Sequence, residues 1–130
     1  IMANGTIAFD TLQTSGQIRG TAKSVDSDYL VFGSNKCWGH FDNDSVIDDS
    51  FNTTSMTDSG TGNFLANFTN NMVDANYHAD ANGNISLADA SNGLAAVLNH
   101  ATANMGVFTS SSGALVDTND CSYSNCGELA

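Results

Sequence analysis

Apolar and polar side chains alternate along several short stretches of this chain, a pattern typical of β-strands with one buried face. The alternation is clearest over residues 63–69. There Phe64, Ala66 and Phe68 fall on one side of an extended strand, and the residues between them fall on the other. We expect the side that carries the two phenylalanines to face a core.

Turn-forming clusters such as Asn-Gly, Asp-Ser-Gly and Ser-Ser-Ser-Gly recur at a spacing of about ten residues, which is typical of a sandwich or barrel. We therefore predict an all-β fold, an antiparallel β-sandwich of jelly-roll-like form in which residues 1–130 make one domain. Strands are predicted at residues 6–12, 17–21, 28–33, 37–42, 46–52, 63–69, 76–80, 104–109, 114–117 and 120–126.

A hairpin is predicted at residues 57–62, which join the strand at 63–69 to the strand before it. Asp58 can accept backbone hydrogen bonds in such a turn, and Gly60 or Gly62 can adopt a positive φ.

Residues 91–105 leave two structures open. Five apolar residues follow a helical stripe, and Ser91 or Asn92 can cap its start. The stripe consists of Leu94, Val97, Leu98, Ala101 and Met105. Gly93 and several Asn and Thr residues weaken helix propensity, however, so a strand followed by a loop is the alternative.

The charge balance of the chain excludes several classes of partner. The cations are Arg19, Lys23 and Lys36, and the net charge is −11. Nucleic acid is an unsuitable partner because binding phosphates requires Lys and Arg, and an anionic membrane surface is disfavoured for the same reason. No run of 18 apolar residues is present, so we predict no membrane insertion.

Three cysteines, Cys37, Cys121 and Cys126, leave one without a partner whatever the pairing. If residues 120–126 form a strand, Cys121 and Cys126 point to opposite faces about 16 Å apart, beyond the reach of a disulfide. A bridge from Cys37 to either one stays open, but three buried free thiols are the favoured interpretation. The histidines His40, His78 and His100 are too scattered to suggest zinc.

Two acidic clusters are candidate cation sites. Residues 80–89 resemble the start of a calcium loop but lack its central Gly and its final Glu, so a turn is the expected structure. Residues 42–49 are expected to form a solvated loop. We predict no metal site and no cofactor.

Catalytic motifs are lacking. No nucleophile elbow, zinc-protease motif or phosphate loop occurs, and the single glutamate, Glu128, leaves only Asp pairs for glycoside hydrolysis. We therefore predict that the protein is not an enzyme and has no catalytic residues.

Aromatic residues are the remaining candidates for binding. Trp38 alternates with small and apolar neighbours and is expected in the core, with ligand stacking at the surface as the alternative. Tyr29, Tyr77 and Tyr123 can be interface or rim residues, but the sequence does not rank them. The sequence therefore leaves the binding residues unknown.

Residues 36–77 carry a resemblance to a known class of proteins. The block contains Asp-Ser-Phe-Asn at 49–52, Ser-Met-Thr-Asp-Ser-Gly-Thr-Gly at 55–62 and Asp-Ala-Asn-Tyr at 74–77, with Trp38, Phe41, Phe64, Phe68 and Met72 in register. It resembles a block in the short fibre proteins and fibre tips of tailed bacteriophages, especially marine ones. Residues 6–16 and 127–130 resemble the opening and the ending of such proteins, from which we expect a whole unit.

The chain departs from that pattern at two places. Cys37 stands where the family usually has Ala, and residues 79–100 have no counterpart. The resemblance implies a virion-surface β-protein, usually a homotrimer, that contacts other virion proteins and a host-surface glycan or protein. We expect a tail-fibre or fibre-tip module with a trimeric knob. The alternatives are a head fibre or capsid decoration protein and, less favoured, a glycan-processing enzyme or lectin.

Overall fold

The computed structural model of the protein describes residues 13, 16–19, 24–42, 44–84, 93–117 and 119–130. In this part of the chain, short strands follow one another with a single helix among them. In chain order they are β1 (Gln17–Arg19), β2 (Ser24–Asp26), α1 (Ser27–Gly33), β3 (Asn35–Phe41), β4 (Ile47–Phe51), β5 (Thr53–Asp58), β6 (Asn63–Phe68), β7 (His78–Asn84), β8 (Gly93–Leu98), β9 (Asn104–Ser111), β10 (Ala114–Leu115) and β11 (Asp120–Cys126).

Two antiparallel sheets make up the body of the protein. The four-stranded sheet has the order β4-β3-β11-β7. In the five-stranded sheet β5 pairs with β6, β6 pairs with β9, and β9 also pairs with β8 and with the short β10. A separate two-stranded hairpin of β1 and β2 leads into α1.

The core lies between the two sheets and is built from alternate residues of β3, β6, β9 and β11. Phe41 of the four-stranded sheet meets Phe64 of the five-stranded sheet edge to face, with ring centroids 4.9 Å apart. The prediction that Phe64, Ala66 and Phe68 face the core is confirmed, because all three are buried. The all-β sandwich is confirmed with them.

The predicted hairpin at residues 57–62 is present, but the strand that it joins to β6 is β5 and not the strand predicted at 46–52. The Asp58 carboxylate accepts a 2.8 Å hydrogen bond from the Gly60 amide. Gly62 has a φ of 63° and packs against the backbone of Val116, so a side chain there meets both backbone strain and a lack of space.

Most predicted strands are present, within a few residues of the predicted bounds. The segment at 93–98 is a strand followed by a loop, so that alternative is confirmed and the helical stripe is wrong. The strands β2 and β5 were not among those predicted. The strand predicted at 6–12 lies outside the described residues.

The strand predicted at 28–33 is wrong, because this segment forms the helix α1. Asp26 caps the helix, and its carboxylate accepts a 3.1 Å hydrogen bond from the Asp28 amide. The four apolar residues Tyr29, Leu30, Val31 and Phe32 are exposed. The predicted β-strand would have buried alternate residues of this run. Within the part of the chain that the structure describes, no helix is long and apolar enough to cross a membrane.

Between β4 and β5 the chain crosses from the four-stranded to the five-stranded sheet through a single residue, Asn52. Its φ is 57°, in the left-handed region. The Asn52 side chain accepts a 2.7 Å hydrogen bond from the Asn70 amide and donates a 3.0 Å bond to the Asn70 carbonyl. These bonds compensate for an unfavourable backbone conformation and fix the end of β6 beside the crossing point.

Candidate functional site

The outer face of the four-stranded sheet carries an exposed tryptophan, histidines and several carboxylates. Trp38 on β3 lies directly opposite Phe51 on β4 and Ser124 on β11. Ser124 in turn lies opposite Asp80 on β7. Directly opposed residues of an antiparallel pair share one face, so these four side chains form one row across the sheet. We call this face the Trp38 face.

Trp38 is not a core residue, and the expectation that it is buried is wrong. Its exposed fraction is 37%, and that of Phe51 beside it is 53%. The alternative prediction from the sequence is that Trp38 lies at the surface and can stack on a ligand. The exposed position of the ring is compatible with that alternative.

The inward positions of β3 are occupied instead by Cys37, Gly39 and Phe41. Gly39 is needed because the phenol ring of Tyr123 fills the space that a Cβ would occupy. The Tyr123 hydroxyl hydrogen-bonds to the Thr53 hydroxyl at 2.9 Å, and burial raises its pKa to about 12. Gly39 therefore accommodates a ring from β11, and Trp38 is directed outward.

His40, two residues beyond Trp38 on the same face, bridges two carboxylates. Its Nδ1 lies 2.9 Å from Asp48 of β4, and its Nε2 lies 2.5 Å from Asp120 of β11. The pKa of His40 is raised, first by the hydrogen bond with Asp120 and then by that with Asp48, while slight burial opposes the shift. The imidazole thus ties three adjacent strands together, and both of its nitrogens are engaged.

The turn expected at 80–89 is wrong for residues 80–84, because they belong to the strand β7. Asp80 belongs to β7, where it lies 2.9 Å from His78 Nε2, and residues 85–89 lie outside the described residues. The described residues contain no group of three or more His, Cys, Asp or Glu side chains arranged to hold a metal ion. His100 lies elsewhere, with its ring against that of Tyr77 at 4.8 Å.

The acidic segment at 42–49 forms the turn between β3 and β4 and the start of β4. The Asp42 carboxylate accepts hydrogen bonds from the amides of Asp44 and Val46, at 3.0 and 3.2 Å. Asp48 and Asp49 are exposed, and a register shift at this end of β4 places Asp48 beside His40.

The cysteines are free in the structure, and Cys121 and Cys126 do point to opposite faces of β11. Cys37 and Cys121 are buried, and burial raises the pKa of both thiols, that of Cys121 to about 12. Cys126 is only partly buried, so the expectation of three buried thiols is wrong for this residue. Its position on β11 faces outward, on the same side as Ser122 and Ser124.

The tyrosines divide between core and surface. Tyr77 and Tyr123 are buried, and the Tyr77 hydroxyl donates to the carbonyls of Ala101 and Asn104, at 3.1 and 3.0 Å. Tyr29 on α1 is 75% exposed. A pocket of about 150 Å³ lies where Phe32 approaches Tyr77 and Met72.

The outer face of the five-stranded sheet differs in kind. Leu65 lies opposite Thr57 and Gly106, Gly106 lies opposite Leu98, and the Phe108 ring leans over Gly106. No described side chain that points outward from these strands is charged. The described side chains that point outward are those of Ser55, Thr57, Asn63, Leu65, Asn67, Ala96, Leu98, Asn104, Phe108, Ser110 and Leu115. We call this the uncharged face.

Comparisons with known proteins add no relative: no protein-family model, no curated protein and no solved structure matches this chain. Function must therefore be argued from the residues and from the geometry of the two faces.

Proposed function

We propose that the protein is a virion-surface module of a tailed bacteriophage, a tail-fibre or fibre-tip domain that contacts the host surface and has no enzymatic activity. The block at 36–77, which resembles phage fibre proteins, forms the strands β3 to β6 together with their turns. The resembling residues Phe41, Phe64 and Phe68 are core residues, and Asp58 and Gly62 shape the hairpin. The resemblance therefore falls on residues that this fold uses.

The observation that supports host contact is the pair of exposed aromatic rings on the Trp38 face. A tryptophan loses favourable burial when it faces water, and exposed aromatic clusters with polar surroundings are typical of binding surfaces. This pair sits on a rigid sheet rather than on a loop, so its geometry is fixed before a ligand arrives.

The uncharged face supports assembly into a homotrimer. Identical chains that each carry a net charge of −11 repel one another wherever carboxylates meet. The uncharged face avoids that cost and offers Leu65, Phe108 and Leu98 for burial. Assembly through this face leaves the Trp38 face pointing away from the trimer.

The way His40 is bonded makes this residue unsuitable as a general base. A general base must accept a proton from a nucleophile, but Nδ1 and Nε2 of His40 are both occupied by carboxylates. The same contacts suit a structural role, in which the ring fixes the neighbouring strands.

The proposal is tested by competition for cells. The purified protein is expected to slow adsorption of the virions that carry it, and the Trp38→Ala/Phe51→Ala double variant is expected to lose this effect. Tyr29→Ala, which removes an exposed aromatic ring from α1, is the matched control and should compete like the unmodified protein. Since the surface offers few cations for anionic glycans, competition should vary little with salt.

Failure of the protein to bind cells or to slow adsorption would contradict the proposal and favour a head fibre or capsid decoration protein. Locating the density of the protein on the virion by electron cryomicroscopy then separates a tail position from a capsid position.

A further inference from the structure

We infer that the Trp38 face binds an uncharged sugar ring, stacked on Trp38 and hydrogen-bonded by the polar side chains around it. This inference deepens the proposed host contact and rests on it for its biological role. The row from Phe51 to Asp80 crosses four strands, a distance of roughly 15 Å, which gives room for more than one sugar ring.

The row combines the two kinds of group that bind a pyranose. One face of a pyranose ring presents C–H groups, which pack against the electron-rich face of an aromatic ring. Its edge presents hydroxyl groups, for which the hydroxyl of Ser124 and the carboxylate of Asp80 lie in the same row as Trp38. Ser122 and Asn82 continue the polar surface in the next row, beside His40.

Charge excludes anionic sugars. Asp48, Asp49, Asp80 and Asp120 all belong to this face or its edge, so a sulfate, phosphate or uronate group brought here meets like charge. Lys36 is the only described cation on β3, and its Nζ is bonded to the Leu30 carbonyl and to Ser34.

A cationic ligand is the competing occupant, because carboxylates attract it and Trp38 can make a cation–π contact. The carboxylates, however, already have partners within the protein. Asp48 and Asp120 bind His40, and Asp80 binds His78. The Asp49 carboxylate accepts a 2.8 Å hydrogen bond from the Ser50 amide. Within the row itself Asp80 is the only carboxylate, and it lies two strands away from Trp38. The surface next to Trp38 in this row therefore presents an aromatic ring and a hydroxyl group rather than charge, which favours an uncharged sugar.

Trp38 is the only tryptophan of the chain, so its fluorescence reports on this face alone. The experiment titrates the full chain with maltohexaose, cellohexaose, laminarihexaose and chitohexaose, with a galacturonate hexamer, and with hexalysine. We expect at least one of the uncharged hexamers to shift the Trp38 emission and to protect it from acrylamide quenching, independently of salt. The galacturonate hexamer should do neither.

Variants locate the site. Phe51→Ala should weaken binding of the active hexamer about tenfold, since it removes the second ring of the platform. Phe108→Ala on the uncharged face is the matched control and should leave the affinity unchanged. Trp38→Ala, followed by calorimetry because the fluorophore is lost, should abolish binding, while Trp38→Phe should retain part of it. Equal affinities of the Phe51→Ala and Phe108→Ala variants would overturn the placement of the site.

A response of Trp38 to hexalysine alone, reversed by salt, would overturn the inference in favour of a cationic partner, and no response to any probe would overturn it as well. These outcomes are distinct from failure of the proposed function. If no hexamer binds but competition for cells still depends on Trp38 and Phe51, host contact stands and its ligand is not an uncharged sugar. If a hexamer binds but competition fails, the face binds sugar without serving in adsorption.

Discussion

The two outer faces of the sandwich are made of the same kind of antiparallel strand but carry different side chains. The Trp38 face holds aromatic rings, histidines and carboxylates, whereas the uncharged face holds Leu65, Phe108, small residues and amides. The core between them constrains only alternate positions of each strand. The outward positions are therefore free to differ between the two faces.

The largest expected effect concerns β6, whose two sides belong to the core and to the uncharged face. Phe64→Ala should reduce the free energy of unfolding by about 3–5 kcal/mol, the range for emptying a packed aromatic site. Leu65→Ala, on the outward side, should cost no more than about half as much in the monomer. Chemical denaturation at protein concentrations too low for assembly measures the free energy of unfolding of both variants. Equal and small losses would contradict the distinction between the two sides.

The next effect tests whether the two faces differ in assembly. Leu65→Asp places a carboxylate on the uncharged face, and we expect it to convert a trimer at micromolar concentration into monomer, as measured by sedimentation velocity. Ser122→Asp adds the same charge to the Trp38 face and serves as the matched control, since it should leave the trimer intact. A stable monomer in the unmodified protein would contradict the assignment of the uncharged face to assembly.

The smallest effect concerns pH and the bridge at His40. The pKa of His40 is raised above its usual 6.5 by Asp120 and Asp48, so the folded protein binds this proton more tightly than the unfolded chain does. The resulting stability is fully present below pH 6.5 and is lost as the pH rises through the raised pKa. Because the ring is partly exposed, the difference should stay below about 1 kcal/mol.

Thermal melts of the unmodified protein and of His40→Gln, each followed across this range, measure the effect. The unmodified protein should lose its advantage over the variant as the pH rises. A constant difference between the two melting temperatures would show that protonation of His40 contributes nothing.

Much of the fold could be predicted because local patterns determine it. Phe64 and Phe68 alternate with polar residues, and Asp58 and Gly62 are the residues that a tight hairpin requires. The helix α1 was missed because the run from Tyr29 to Phe32 has high β-propensity, although the capping residue Asp26 was a usable signal.

The candidate site could not be predicted in the same way. The alternation in β3 allows either Trp38 and His40 or Cys37 and Phe41 to face inward, and the size of tryptophan favours the wrong choice. The choice depends on Tyr123, which fills the space beside Gly39 from a strand more than eighty residues away in sequence. The bridge from His40 to Asp120 has the same long-range origin.

The one-residue passage at Asn52 bears on the order of folding. Strands β3 to β6 follow each other through short connections, so their pairing closes only small loops, whereas β11 must return to β3 across most of the chain. The segment from β3 to β6 is therefore expected to order first and to present both half-formed sheets, already joined at Asn52, to the later strands. In pulse-labelling hydrogen exchange, its amides should be protected before those of β11, and simultaneous protection would contradict this order.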